Sequence, residues 1–267
     1  KDFVEAFINI ALTYEDMGLF EKALNKYDEA LVINPNSHDA QNNKSLIYLR
    51  QHNFLEGWKL YQKRKKSADF KKASDLHRLR VSDCDLQLIP ANDVGVGLIS
   101  KDKIERDKSI LIWGEQGLGD QIFFSSMLVD LLNLTNNVRL HLDTRLKSLI
   151  ERSFPSIRFI DKLKNKSTFD YNIPIGDLGL LFRSESSITK SKNKPFLKPD
   201  NNRIEDYKNK FSRLKGKKKI GISWHTTNPK NGFKRNIELT KLLSIFKNID
   251  VDIISLQYNE DMNEINI

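Results

Sequence analysis

Between Ser109 and Leu134 the chain reads SILIWGEQGLGDQIFFSSMLVDLLNL. A short β-branched and aromatic run, Ile110 to Trp113, breaks into a glycine-bearing loop, Gly114 to Gly119, which opens into a segment of helical apolar spacing. That order predicts a strand, a tight turn and a helix N-terminus. The unpaired N–H groups of such an N-terminus, beside glycines that let a ligand approach the backbone, suit an anion or a polar reacting group. Asp120 stands where the helix is expected to begin, and two readings are open for it. It is either an N-cap satisfying orphan donors or a carboxylate at the C-terminal end of a parallel strand, where α/β folds place chemistry.

Downstream the same alternation continues. Val138 to Leu142 reads as a second strand, Thr144 to Ser153 as a helix closed by Pro155, Ile157 to Ile160 as a third strand, and Tyr171 to Ile175 as a fourth before Gly176-Asp-Leu-Gly179. Alternation of this kind means parallel βαβ units. After a polar linker, Ser184 to Pro199, an amphipathic helix runs to about Leu214. The strand Lys219 to Trp224, the polar loop His225 to Asn236, a helix and the strand Val251 to Gln257 then repeat the earlier order. A second α/β domain is expected there, with only two of its strands present.

Upstream, residues 1 to 70 carry an internal repeat. Phe7, Ala11, Tyr14, Gly18, Phe20, Ala23, Tyr27, Ala30 and Pro35 form one unit. Tyr48, Phe54, Gly57 and Tyr61 recur 34 residues after Tyr14, Phe20, Ala23 and Tyr27. The pattern resembles the tetratricopeptide repeat. Small Ala11 and Ala23 allow two antiparallel helices to approach, Gly18 permits the turn, and Pro35 stops the second helix. In the second unit Ser45 takes the small position, His52 stands where the turn glycine would be, and Trp58 is added, as in a terminal or capping repeat. The tyrosines Tyr14, Tyr27, Tyr48 and Tyr61 are assigned to packing between helices. Two repeats cannot bury a solenoid core alone, so further repeats before Lys1, or packing of the pair on the neighbouring domain, is expected. Lys1 falls inside a helical pattern, and the chain reads as a fragment lacking both ends.

The 267 residues, 39% of them hydrophobic, can bury a sizeable core and divide into more than one domain. Neither an apolar run of the roughly 18 residues a membrane span requires nor a signal-peptide pattern occurs. Cys84 is the single cysteine, which removes an intramolecular disulfide and suits a reducing, cytoplasmic setting. The net charge of +9 concentrates in Lys63-Arg-Lys-Lys66, Lys71-Lys72 and Lys215 to Lys219. These runs read as solvated faces, because they lack the interleaved aromatics of a single-strand platform and no nucleic-acid-binding signature accompanies them. Nucleic acid is not expected as a partner, and binding through these runs would show steep salt dependence. No metal is implied, since no metal-ligand cluster appears beyond Asp83-Cys84-Asp85 in the connector.

The loop is not a dinucleotide fingerprint. Ile122 sits where the third glycine should be, Asp143 lies too far along for the ribose acid, and no Gly-Lys-Ser/Thr makes a Walker loop. Tetratricopeptide repeats followed by EQGLGDQIFF, then by a strand ending in Trp224, an Asn-Pro loop and a Ser-Leu-Gln strand, resemble repeat proteins fused to heptosyltransferase-like glycosyltransferases of GT-B fold. The resemblance implies a helical repeat region joined to two Rossmann-like α/β domains, with repeats at 1–72, a connector at 73–107, the first domain at 108–200 and an incomplete donor-binding domain at 201–267. It implies that Asp120 is the general base on the acceptor hydroxyl and that Gln116, Gly117 and Gly119 form the active-site loop. Thr226 and Thr227, with Lys234 or Arg235, would hold the diphosphate of a sugar nucleotide. Gln257, at a strand end, would hydrogen-bond the base. Each has a plainer reading: cap for Asp120, turn residues for the threonines, solvated charge for Lys234 and Arg235, strand terminator for Gln257. His225 is a second choice of base. Glu115 and Asp120 do not make a glycosidase pair, because nothing fixes a second acid near the first. The expected function is sugar-nucleotide-dependent glycosyl transfer, hexosyl or heptosyl, without a further cofactor, the repeats recruiting a protein partner or acceptor. The alternative is a non-catalytic interaction scaffold with a degenerate transferase-like half. With the second domain incomplete, the 267-residue chain itself is expected to be inactive.

Overall fold

The computed structural model describes residues 2–67, 70, 72, 107–163, 169–184, 195–212, 214, 218–226 and 235–257. The connector with Cys84, most of the linker after Ser184, Lys215 to Lys217, Thr227 and Lys234 lie outside the described residues. The chain divides into two compact units, Lys1–Pro199 and Asp200–Ile267.

The first unit opens with two helical hairpins. Helices α1 (Asp2–Asp16) and α2 (Phe20–Ile33) form one, α3 (His38–Arg50) and α4 (Phe54–Tyr61) the other. The turns are copies of each other. Gly18 N donates to Glu15 O and Leu19 N to Tyr14 O; 34 residues on, His52 N donates to Leu49 O and Asn53 N to Tyr48 O. Gly18 has φ 73° and His52 has φ 63°, the left-handed conformation that closes such a helix end. Ala11, Ala23, Tyr27, Ala30, Ala40 and Ile47 are buried in one core between the hairpins. Gly57 stands at the position equivalent to Ala23, and a Cβ there would meet Leu49 Cγ at 2.8 Å.

Next come β1 (Ile110–Trp113), α5 (Leu118–Ser125), α6 (Leu128–Leu132), β2 (Val138–His141), α7 (Lys147–Ser153), β3 (Arg158–Phe159), β4 (Tyr171–Pro174) and α8 (Leu178–Phe182). The helical run expected after Asp120 is split in two. Ser125 Oγ donates to Gln121 O four residues back, a contact that bends helices. The sheet is parallel, in the order β3-β2-β1-β4, with Ile110 opposite both Val138 and Tyr171. All four residues of β1 are buried, as a central parallel strand covered on both faces requires. Around it Leu128, Leu131, Leu140, Ile173 and Leu178 form the second core, and Trp58 and Tyr61 of α4 belong to this core. The second hairpin therefore seats its end on the adjoining α/β layer. Gly179 allows it: a Cβ there would meet Trp58 Cζ3 at 2.5 Å.

The second unit holds α9 (Asn201–Lys210), capped by Asp200, and a parallel pair β5 (Lys218–Ile222) and β6 (Val251–Ser255), with α10 (Leu239–Ser244) in the connection. Among the described residues no helix is long and apolar enough to cross a membrane.

Candidate functional site

Strand order locates the place to look. The chain moves outward from β1 to β2 and β3, then returns to the other side of β1 as β4, so the order reverses between β1 and β4. In open parallel sheets the crevice beyond the carboxyl ends of the two strands at such a reversal is where ligands bind. Here it is framed by Gly114 to Gly117 after β1 and by the 3₁₀ turn Ile175–Asp177 after β4.

The crevice is filled by the chain itself. Past α4 a 3₁₀ turn, Gln62–Lys66, carries Arg64 into it. Arg64 donates from Nη2 to Glu115 Oε1 (2.6 Å) and Asp177 Oδ1 (2.7 Å), from Nε to Glu115 Oε2 (3.2 Å), and from Nη1 to Tyr61 O (3.1 Å). Lys65 pairs with the other oxygen of Asp177. The guanidinium is only 4.3 Å from the Tyr61 ring centroid and 5.7 Å from that of Phe70, which in turn packs on Trp113 at the end of β1. Gly176 lacks a side chain because a Cβ there would meet Glu115 Oε1 at 2.6 Å and Arg64 Nη2 at 2.7 Å, and its N–H donates to Glu115 Oε1. Arg64 and Glu115 side chains are 6% and 2% exposed, so each charge depends on the other for compensation. Burial opposes the charge on Arg64, yet Asp177 and Glu115 raise its pKa overall. Burial likewise pushes Asp177 up, and the nearby Lys65 and Arg64 more than reverse it, leaving its pKa low. Burial, the largest influence, raises the Tyr61 pKa, and its phenol stays protonated.

The loop is pinned residue by residue. Gln116 Nε2 donates to Tyr61 Oη (2.7 Å), and Gln121 Nε2 donates to Gln116 O (2.7 Å) while Gln121 Oε1 accepts from Asp143 N (2.9 Å). Gly114 lies so close to the Gln121 amide that a Cβ would reach it at 2.7 Å. Asp143 caps the next turn and binds Arg145, which lowers its pKa.

Beyond Gln116 the loop turns outward, and Gly117, Gly119 and Asp120 are exposed. Asp120 is not the cap. Helix α5 begins at Leu118, Gly117 holds the cap position without a side-chain cap bond, and Gln121 N already donates to Gly117 O. A glycine is an acceptable N-cap, so the helix starts two residues before the carboxylate. Asp120 thus sits in the first turn, where the helix dipole favours a negative charge by about 0.3 to 1 kcal/mol. Its carboxylate has no hydrogen bond or salt bridge to a described residue.

In the second unit the described residues of the expected donor set, Thr226, Arg235 and Gln257, follow the carboxyl ends of β5 and β6 in the chain. Thr226 N donates to Asn236 Oδ1 (2.7 Å), Arg235 is exposed, and His225 is exposed. The Gln257 amide fastens β6 to the loop after β5: Oε1 accepts from Trp224 N (3.1 Å), His225 N (3.0 Å) and Ser223 Oγ (3.2 Å), and Nε2 donates to His225 O (2.9 Å). Among the described residues no group of three or more His, Cys, Asp or Glu is placed to hold a metal ion.

Sequence reasoning missed Arg64, Glu115, Asp177 and Gln121. The reading of Lys63 to Lys66 as a solvated face is corrected at Arg64, which is buried. The tyrosine stripe is corrected at Tyr61. Tyr27, its counterpart one repeat earlier, binds Glu15 inside the hairpin, whereas Tyr61 turns its hydroxyl to the loop. The one available signal was Gly57-Trp58, a departure from the repeat pattern on the helix that touches the next layer.

Residues 4–37 match the tetratricopeptide repeat model, so the chain carries this repeat at its first hairpin. Along 99% of its length the chain is similar to Protein FlbA of Caulobacter vibrioides, with 28% identity over 293 residues. It spans 45% of the length of that relative.

Proposed function

We propose that the intact protein is a sugar-nucleotide-dependent glycosyltransferase with tetratricopeptide repeats that recruit a protein partner or acceptor. The observation that carries the reading is Asp120: an exposed carboxylate, free of partners among the described residues, presented at the carboxyl end of the central parallel strand by a loop whose preceding residues are immobilised. A base must keep its acceptor lone pairs available for an incoming hydroxyl, and a capping carboxylate would not. The donor diphosphate falls to the loop after β5, with Thr226, Thr227, Lys234 and Arg235. No cofactor beyond the donor is required, and the single Cys84 suits a reducing cytoplasm.

The test is Asp120→Asn in the intact protein, assayed against UDP-, GDP-, ADP- and CMP-linked sugars. Turnover should fall about 100- to 10,000-fold, the usual contribution of a general base, with nucleotide affinity and thermal midpoint unchanged. Turnover within a few-fold of wild type would reduce Asp120 to a surface charge. A second reading, an interaction scaffold with an inactive transferase-like half, draws on the filled crevice at Arg64 and on the Gln257 amide engaged by the backbone of Trp224 and His225. It expects no turnover in wild type and binding of a protein partner by the repeats.

A further inference from the structure

The loop between β1 and α5 contains Gly114 and Gly117, residues that give the backbone wide conformational freedom. Four residues with two glycines do not hold one shape by themselves. The contacts that fix them come from far upstream: Arg64 lies 51 residues before Glu115, and Tyr61 lies 55 before Gln116. Each contact is suited to holding position. Arg64 offers a planar fork to Glu115 through Nε and Nη2, the arrangement that fixes a carboxylate in orientation as well as distance. Tyr61 is buried against Trp58 and Phe124, with centroid distances of 5.4 and 6.4 Å, so its hydroxyl cannot wander. On the other side of Gln116, Gln121 ties its carbonyl to the start of the turn at Asp143. The first residue past this clamp is Gly117, and Asp120 follows within one helical turn.

We infer that Tyr61 and Arg64, at the end of the helical repeats, are positioning residues for Asp120, acting through Gln116 and Glu115. This rests on the reading of Asp120 as general base. The repeats then do more than recruit. Their last turn completes the wall of the catalytic loop, and the crevice that other open sheets give to a phosphate is here a socket for Arg64. An acceptor reaches Asp120 from the exposed side of Gly117 and Gly119, where a Cβ on Gly119 would meet no atom within 4 Å.

Tyr61→Phe is the decisive variant, because it keeps the ring in its packing and removes only the hydroxyl that accepts from Gln116. Arg64→Lys accompanies it, replacing a fork with a point charge. Two measurements are made on the intact protein. Amide hydrogen exchange over 115–121 should quicken at least about tenfold in Tyr61→Phe while β2 is unchanged, as local opening without global unfolding requires. In steady state with the nucleotide sugar that wild type turns over, kcat should fall about 10- to 100-fold, the effect of a displacement near 1 Å, with the donor KM unchanged. In the Asp120→Asn background Tyr61→Phe should cause no further loss. Unchanged exchange over 115–121 overturns the inference. So does quickened exchange with an unchanged kcat in a protein that Asp120→Asn inactivates. If Asp120→Asn has no effect, or wild type turns over no donor, the base reading fails, and the holding of the loop is decided by exchange alone.

Discussion

Gly18 and His52 share one backbone conformation, but only one of them is built for it. A left-handed φ costs a residue with a Cβ roughly 1 to 2 kcal/mol, and glycine escapes this. Nothing lies within 4 Å of a Cβ built on Gly18, so Gly18→Ala should lose about 1 kcal/mol from the backbone alone. His52→Gly should gain up to about 1 kcal/mol, less what is lost when the ring leaves Phe54, 5.6 Å away between centroids. Urea unfolding of the two variants reads both signs. A destabilised His52→Gly would show that the stack on Phe54 outweighs the backbone strain. The same scale explains Gly176, whose role is space: the Arg64–Glu115 pair passes where its Cβ would stand.

Helix α4 is where repeat and sheet become one structure. Its Trp58 indole donates to Arg183 O (3.1 Å), and its ring lies against Gly179 at the start of α8. Arg183 in turn pairs with Asp130 of α6 at 2.8 Å, so Arg183 links α4, α6 and α8. A methyl at 179 cannot be accommodated by a rigid indole. Gly179→Ala should therefore destabilise by about 1 to 3 kcal/mol, as overpacking does, despite the gain in helix propensity. Combining it with Trp58→Leu should give a smaller loss than the sum of the two single changes, since residues in contact do not act additively. Additive losses would place the strain elsewhere.

At the scale of the first unit, the Arg64–Glu115–Asp177–Lys65 cluster makes stability depend on acid. The folded pKa of Asp177 lies below its ordinary value near 3.9. Its contribution is thus fully present above about pH 4 and is lost as pH falls through the folded value. Arg64 is shifted the other way, above a value already far from neutrality, and adds no slope in the acid range. The thermal midpoint should fall steeply below about pH 4, and Asp177→Asn should lower it at neutral pH while flattening the acid limb. An equally steep limb in Asp177→Asn would assign the acid sensitivity to other carboxylates.

Much of this molecule is written locally. The 34-residue offset, the strand Ile110 to Trp113, the order of strands and helices after it, and the place of Asp120 near a helix start are all legible, because periodicity and turn chemistry report on which face of a segment is covered. Local signals cannot report what covers it. Arg64 sits among three other bases, and nothing within that run distinguishes the buried one. Its partners stand 51 and 113 residues away, and they meet only because the sheet order reverses between β1 and β4. Glu115 looked like an unsupported acid for the same reason. A side chain's composition states which bonds it can make, and only the closed chain decides whether those bonds go to a ligand or to the protein itself.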